Sequence, residues 1–266
     1  AYNYLWSGSA LNNTTTQIVV ASPQVANTYP YSVTVSDAKG CSAVATDTVI
    51  VNPLPNIYNV FINGTNGYCQ GDSGIIVQLS GSQVNVSYQL KLNGTNIGLP
   101  INGTGSAISF GYQTSAGVYT VVATSNKGCI SNMSSSATVI VYALPTADAG
   151  IDKSIINCPK DSIQLGGSPT GIFGGVNCST CTYNWSPSTA LSSVNTPNPW
   201  VNGLATTTAY TVTVTTTNGC TAQDVVLVTV TPSTLSVDAG NGGAFCDSSN
   251  SSVNLNGTLI GGTAPY

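Results

Sequence analysis

Cys178 and Cys181, three positions apart, are the one local pair of thiols in the chain. A Cys-x-x-Cys spacing serves zinc ligation, thiol redox chemistry or a short disulfide. Zinc needs two further ligands, but the sequence has no His and its other cysteines recur at repeat positions. A redox pair normally sits at a helix N-terminus that lowers the thiol pKa. This pair lies in a Gly/Asn/Ser-rich insertion before a strand, so the expectation is a disulfide stapling a loop.

Acid–base chemistry has little to work with. Arg, Glu and His are absent, which leaves Asp as the one carboxylate and removes the usual acid/base residue near neutral pH. Paired carboxylates hydrolyse glycosides, but these aspartates recur at equivalent repeat positions. Asp72 and Asp161 each follow a cysteine by three residues, and Asp148 and Asp238 share an Asp-Ala-Gly motif. Positions repeated from unit to unit read as scaffold, so no catalytic residue and no enzyme activity are expected. Asp148, Asp152 and Asp238 near the linkers make a poor calcium cage without Glu, and read as turn carboxylates. No metal or cofactor is expected.

Charged residues make up 5% of the 266 residues, with a net charge of −4. That leaves no basic footprint for nucleic acid or for anionic membranes, and no apolar run of about 20 residues to span a bilayer. Thr, Val and Tyr favour strands while Asn and Gly favour turns. Eight cysteines without His point to disulfides and an extracellular setting.

Three segments position these residues: Tyr31 to Cys41, Tyr119 to Cys129 and Tyr210 to Cys220 each place Tyr ten residues before Cys. Tyr and the apolar residues two and four places on share one face, the alternation of a half-buried strand. Gly40, Gly128 and Gly219 then supply the positive φ of a hairpin turn. A second strand follows, ending at Val51, Val141 and Val230, and prolines at 53, 55, 145 and 232 close each unit.

The hairpin cysteine recurs after 88 and 91 residues (129−41, 220−129), near the roughly 100 residues of an immunoglobulin-type sandwich. The expected architecture is all-β: tandem immunoglobulin-like β-sandwich modules arranged linearly. Residues 1–55 are expected to be the back half of one module, 56–145 and 146–232 complete modules, and 233–266 the front half of another. Each module has one front and one hairpin cysteine, so the expected pairings are Cys69 with Cys129 and Cys158 with Cys220. Cys41 and Cys246 would bond missing or neighbouring half-modules, Cys246 of one copy meeting Cys41 of the next. Tyr4-Leu-Trp6 and Tyr183-Asn-Trp185 are the central-strand aromatics, with Tyr88 standing in between. Trp200, in a loop-like Thr-Pro-Asn-Pro-Trp stretch, is the candidate for an exposed ligand contact. The Asn-x-Ser/Thr triplets read as Asn-Gly turns.

The combination of Cys158-Pro-Lys-Asp-Ser-Ile-Gln-Leu165, Tyr183-Asn-Trp-Ser-Pro187, Thr208-Ala-Tyr-Thr-Val-Thr-Val214 and Asn218-Gly-Cys220 resembles the PKD-like and immunoglobulin-like repeats of Bacteroidota surface proteins. The closing Gly261-Gly-Thr-Ala-Pro-Tyr266 resembles the repeat of their giant gliding-motility adhesins. The resemblance implies export by the type IX secretion system, extracellular display at the cell surface, and a role in adhesion or gliding. It also implies O-glycans at Asp-Ser/Thr before an aliphatic residue, which Asp47-Thr48-Val49 and Asp161-Ser162-Ile163 match. The expected function is a non-catalytic stalk segment of a surface adhesin or filament. Its partners would be flanking repeats or neighbouring copies head to tail, and surface glycans. The competing readings are a glycan- or protein-binding module using loops near Trp200, and a self-assembling fibre subunit.

Overall fold

The computed structural model describes residues 1–158, 160–243, 252 and 254–262. Among the described residues every regular element is a strand. The chain falls into two compact units, Ala1–Val141 and Tyr142–Tyr266.

Residues 1–55 form a single antiparallel sheet of Asn3–Ser7, Asn27–Ser36 and Ser42–Val51. Tyr31 is buried on one face, but the Ser42–Val51 strand is exposed along nearly its whole length. After Tyr31, residues 32–36 are all half-buried and do not alternate in burial.

The next module has two sheets. One orders Ile108–Gln113, Ile75–Leu79 and Val60–Ile62; the other places Gly67–Cys69, Ala137–Tyr142, Gly117–Ser125 and Val86–Leu92 side by side. Alternate residues point between the sheets, as the burial of Tyr119, Val121 and Ala123 shows, and they enclose a core with Leu79, Tyr88 and Val139.

The third module repeats this arrangement. Lys153–Ile156, Thr221–Thr231, Thr208–Thr215 and Thr182–Ser186 lie in that order, and Ser162–Gln164 pairs with Trp200–Asn202 in a separate sheet. Trp185, Tyr210, Val212, Val226 and Leu165 fill the core. The front strand runs parallel to the closing strand, Lys153 opposite Val228 and Ile156 opposite Thr231. In residues 233–266 the described pairing is Ser236–Asp238 with Thr258–Ile260.

Three turns show why the repeat motif has its form. Gly40, Gly128 and Gly219 have φ of 86°, 80° and 83°, the region where a Cβ is disfavoured. In each turn the residue four before the cysteine takes a bond from its backbone N–H to the cysteine carbonyl: Asp37, Ser125 and Thr216, at 3.0, 2.9 and 2.9 Å. The same residue's side-chain oxygen accepts the cysteine N–H. One short polar side chain thus fixes the turn from both ends.

The central-strand aromatics also fall as expected, with one refinement. Trp6 stands opposite Val33 and Trp185 opposite Val212, and each indole N–H donates to a loop carbonyl, Thr16 at 3.1 Å and Thr196 at 2.9 Å. In the middle module Tyr88 stands opposite Ala123 and Leu90 opposite Val121. Tyr88 is therefore the counterpart of Tyr4 and Tyr183, and Leu90 occupies the tryptophan position.

Candidate binding surface and cysteine positions

Cys178 and Cys181 are bonded to each other, with Cα atoms 5.4 Å apart. The staple closes the loop between Val176–Asn177 and Thr182–Ser186, and the Tyr183 hydroxyl donates to the Cys178 carbonyl at 3.3 Å.

The expected pairings of Cys69 with Cys129 and of Cys158 with Cys220 are not formed. Cys129 and Cys158 carry free thiols, as does exposed Cys41, whereas Cys69 and Cys220 are disulfide-bonded. Strand direction supplies the reason. Asn157, next to Cys158, donates its N–H to the Thr231 carbonyl at 2.8 Å, at the end of the closing strand. Cys220 immediately precedes that strand's start at Thr221, so its eleven residues separate the two thiols, about 35 Å of extended chain. A disulfide tolerates roughly 7 Å between Cα atoms.

The middle module repeats the geometry. Ile140 donates its N–H to the Asn66 carbonyl, which holds Cys69 within about 10 Å of the end where Gly117 pairs with Val139. Cys129 lies beyond the other end of Gly117–Ser125. Front and hairpin cysteines of one module occupy opposite poles; Cys246, expected to bond Cys41 of a neighbouring copy, lies outside the described residues.

Trp200 is 46% exposed, yet it begins a strand rather than sitting in a loop. Its N–H donates to the Ser192 hydroxyl at 2.9 Å, and it pairs with Gln164 while Val201 beside it is fully buried. A shallow concavity nearby is lined by Asp148, Lys153, Gln164, Ser168 and Asn198. The side chains of Asn198, Gln164 and Lys153 already have protein partners. The Asn198 amide donates to the Leu165 and Gly167 carbonyls and the Thr170 hydroxyl, Gln164 donates to the Asn198 carbonyl, and the Lys153 ammonium meets the Gln164 carbonyl. They hold loops together, and Trp200 stands beside them as an aromatic face open to solvent.

The aspartates are likewise engaged with backbone. Asp148 and Asp238 each accept the N–H of the glycine two places on at 2.8 Å, one Asp-Ala-Gly turn built twice. Asp152 accepts from Leu227, and Asp224 from Ala149. Asp47 and Asp161 fold back on the N–H groups of Thr48 and Ser162, whose positions are both exposed. Burial pushes the hydroxyls of Tyr88, Tyr119, Tyr183 and Tyr210 above the usual tyrosine range. Sequence reasoning missed the role of Asp224 and Asp152, because their partners lie 75 residues away.

No helix among the described residues is long and apolar enough to cross a membrane. No family model matches the chain, and no curated protein does. Among solved structures it is similar to the Bacteroides ovatus mixed-linkage glucan utilization locus SGBP-B in complex with a heptasaccharide. That match has 16% identity and a TM-score of 0.23, covering 94% of this chain and 65% of that one, just under two thirds of its length. It is also similar to an ice-binding adhesin of an Antarctic bacterium, with 16% identity, a TM-score of 0.38 and coverage of 90% and 68%. A 1.5-MDa bacterial ice-binding adhesin matches at 16% identity and a TM-score of 0.32, covering 87% of each chain. Within the molecule itself, a front strand, closing strand, tyrosine strand and central strand share one sheet, faced by a second across a Val- and Tyr-rich core. The chain is a tandem of immunoglobulin-like β-sandwich modules.

Proposed function

We propose that the chain is a non-catalytic structural segment of a large, secreted cell-surface adhesin, its modules acting as spacers that carry a binding tip held elsewhere in the protein. The observation that carries this reading is the use made of the polar side chains. Asp148, Asp152, Asp161, Asp224 and Asp238 all accept backbone N–H groups, and the same Tyr–Gly–Cys turn is built three times. Groups spent on holding loops are not presented to a substrate. The resemblance to repeats of Bacteroidota surface proteins supports extracellular display, type IX export and a part in adhesion or gliding. Glycans on exposed Thr48 and Ser162 would shield a surface poor in Lys, the usual guard against edge-strand association.

A second reading has one observation in its favour. Trp200 offers a half-exposed aromatic face beside Gln164, and such faces stack on sugars. A glycan array and a pulldown with the chain separate the two readings. Absence of specific binding is the result expected of a spacer. Specific binding that Trp200→Ala abolishes, with the melting temperature unchanged, would replace the spacer by a glycan-binding module.

A further inference from the structure

The sheet of residues 1–55 is the same construction as the closing sheet of residues 146–232, with one part uncovered. Counting from the hairpin cysteine, Val49, Val51 and Asn52 (8, 10 and 11 places on) correspond to Val228, Val230 and Thr231. Val228 to Thr231 are paired along their outer edge by the parallel strand Lys153–Ile156, and Val228 is fully buried. Val49 is 40% exposed and Ile50 63% exposed, and in the sheet order the Ser42–Val51 strand is an edge.

We propose that this edge is the acceptor for the front strand of another repeat, of the type of residues 153–158, and that the docked strand delivers its cysteine to Cys129. The position of Cys129 carries the second half. Its Sγ lies 3.9 Å from the Asn52 carbonyl. In the complete module the corresponding carbonyl, Thr231, accepts the N–H of Asn157, the residue immediately before Cys158. A strand docked on Val49–Asn52 in the same register therefore brings its own cysteine to the one point of residues 1–55 that Cys129 already occupies. The front cysteine of one repeat is thus joined to the hairpin cysteine of the next, the two poles that strand direction keeps apart within a single module.

Asp47 gives the site a feature of its own. It stands opposite Tyr31, where Val226 stands opposite Tyr210. Asp224, which takes the Ala149 N–H in the complete module, sits four places after its hairpin cysteine, and Ala45 holds that position here. The occupant is a segment like residues 153–158, a short strand with two β-branched residues followed by a cysteine.

Thiol–disulfide exchange tests this without an added oxidant. A synthetic peptide of residues 146–165 carries its cysteine as a mixed disulfide with an aromatic thiol. The Cys129 thiolate attacks the peptide sulfur, the new S–S bond forms, and the aromatic thiolate leaves with the electron pair. The intact chain is treated with the peptide and mapped without reductant. Cys41 is exposed, while Cys129 and Cys158 are both half-buried, so exposure alone favours Cys41. The expected result is coupling to Cys129 at least tenfold faster than to Cys41 or Cys158. That preference should be lost with a peptide carrying Ile155→Asp, and in a chain carrying the surface change Val49→Lys. Slowed amide exchange over residues 49–52 should accompany coupling. Coupling that follows exposure, or that is equally fast with the Ile155→Asp peptide, overturns the proposal. Chains that instead couple from Cys129 to a cysteine other than Cys158 of a second copy would overturn it too, since the occupant would be a different segment.

Discussion

The Asp224 carboxylate accepts the backbone N–H of Ala149 at 2.8 Å, tying the closing strand of a module to a fully buried residue 75 positions earlier. Removing the acceptor strands a buried N–H, which costs about 1–3 kcal/mol. Asp224→Ala should lower the melting temperature of that module by roughly 5–20 °C, given about 4–8 °C per kcal/mol for a domain of this size. Asp224→Asn keeps an oxygen in place and should cost distinctly less. Equal losses for the two variants would show that the charge or the packing, and not this bond, is what the module needs.

Trp185 is 2% exposed with its indole N–H on the Thr196 carbonyl, whereas Leu90 fills the corresponding position of the middle module. Trp185→Ala should destabilise its module by about 3–5 kcal/mol. Leu90→Trp should overpack the other core at about 1–3 kcal/mol. A neutral Leu90→Trp, read by calorimetry, would mean that the middle core holds unfilled space.

Stability should be level between about pH 5 and 8, since no His titrates there, and should fall in alkali. Burial raises the folded-state pKa of Tyr88, Tyr119, Tyr183 and Tyr210 above the usual value of 10. A group whose folded pKa is raised contributes its full stability below the unfolded value, and that contribution is lost as pH rises through the folded value. Each such tyrosine steepens the loss by up to about 1.4 kcal/mol per pH unit above about pH 10. Thermal melts across pH 5–11 check this, and a midpoint drifting by many degrees between 5 and 8 contradicts it.

Peptide mapping without reductant should recover Cys178 linked to Cys181 and no peptide joining Cys69 to Cys129 or Cys158 to Cys220. Either of the latter would require strand registers other than those of the closing hairpins. Replacing Cys178 and Cys181 by Ser should cost about 2 kcal/mol, the chain-entropy value for so short a loop.

The sequence by itself determined everything whose cause is local. The two-residue alternation from Tyr31, Tyr119 and Tyr210 specifies strands with one buried face, and the glycine before each cysteine specifies the turn, because strand faces and positive φ are settled by near neighbours. The Cys-x-x-Cys disulfide was legible for the same reason, its partners being three residues apart. Tertiary structure alone decided which distant groups meet. The parallel pairing of Lys153–Ile156 with Val228–Thr231 joins segments 75 residues apart, and nothing in either segment states the direction of that pairing. A count of one front and one hairpin cysteine per repeat suggests a bond within the module. The parallel direction places the two thiols at opposite ends of an eleven-residue strand, and an extended backbone of that length cannot be folded to bring them together.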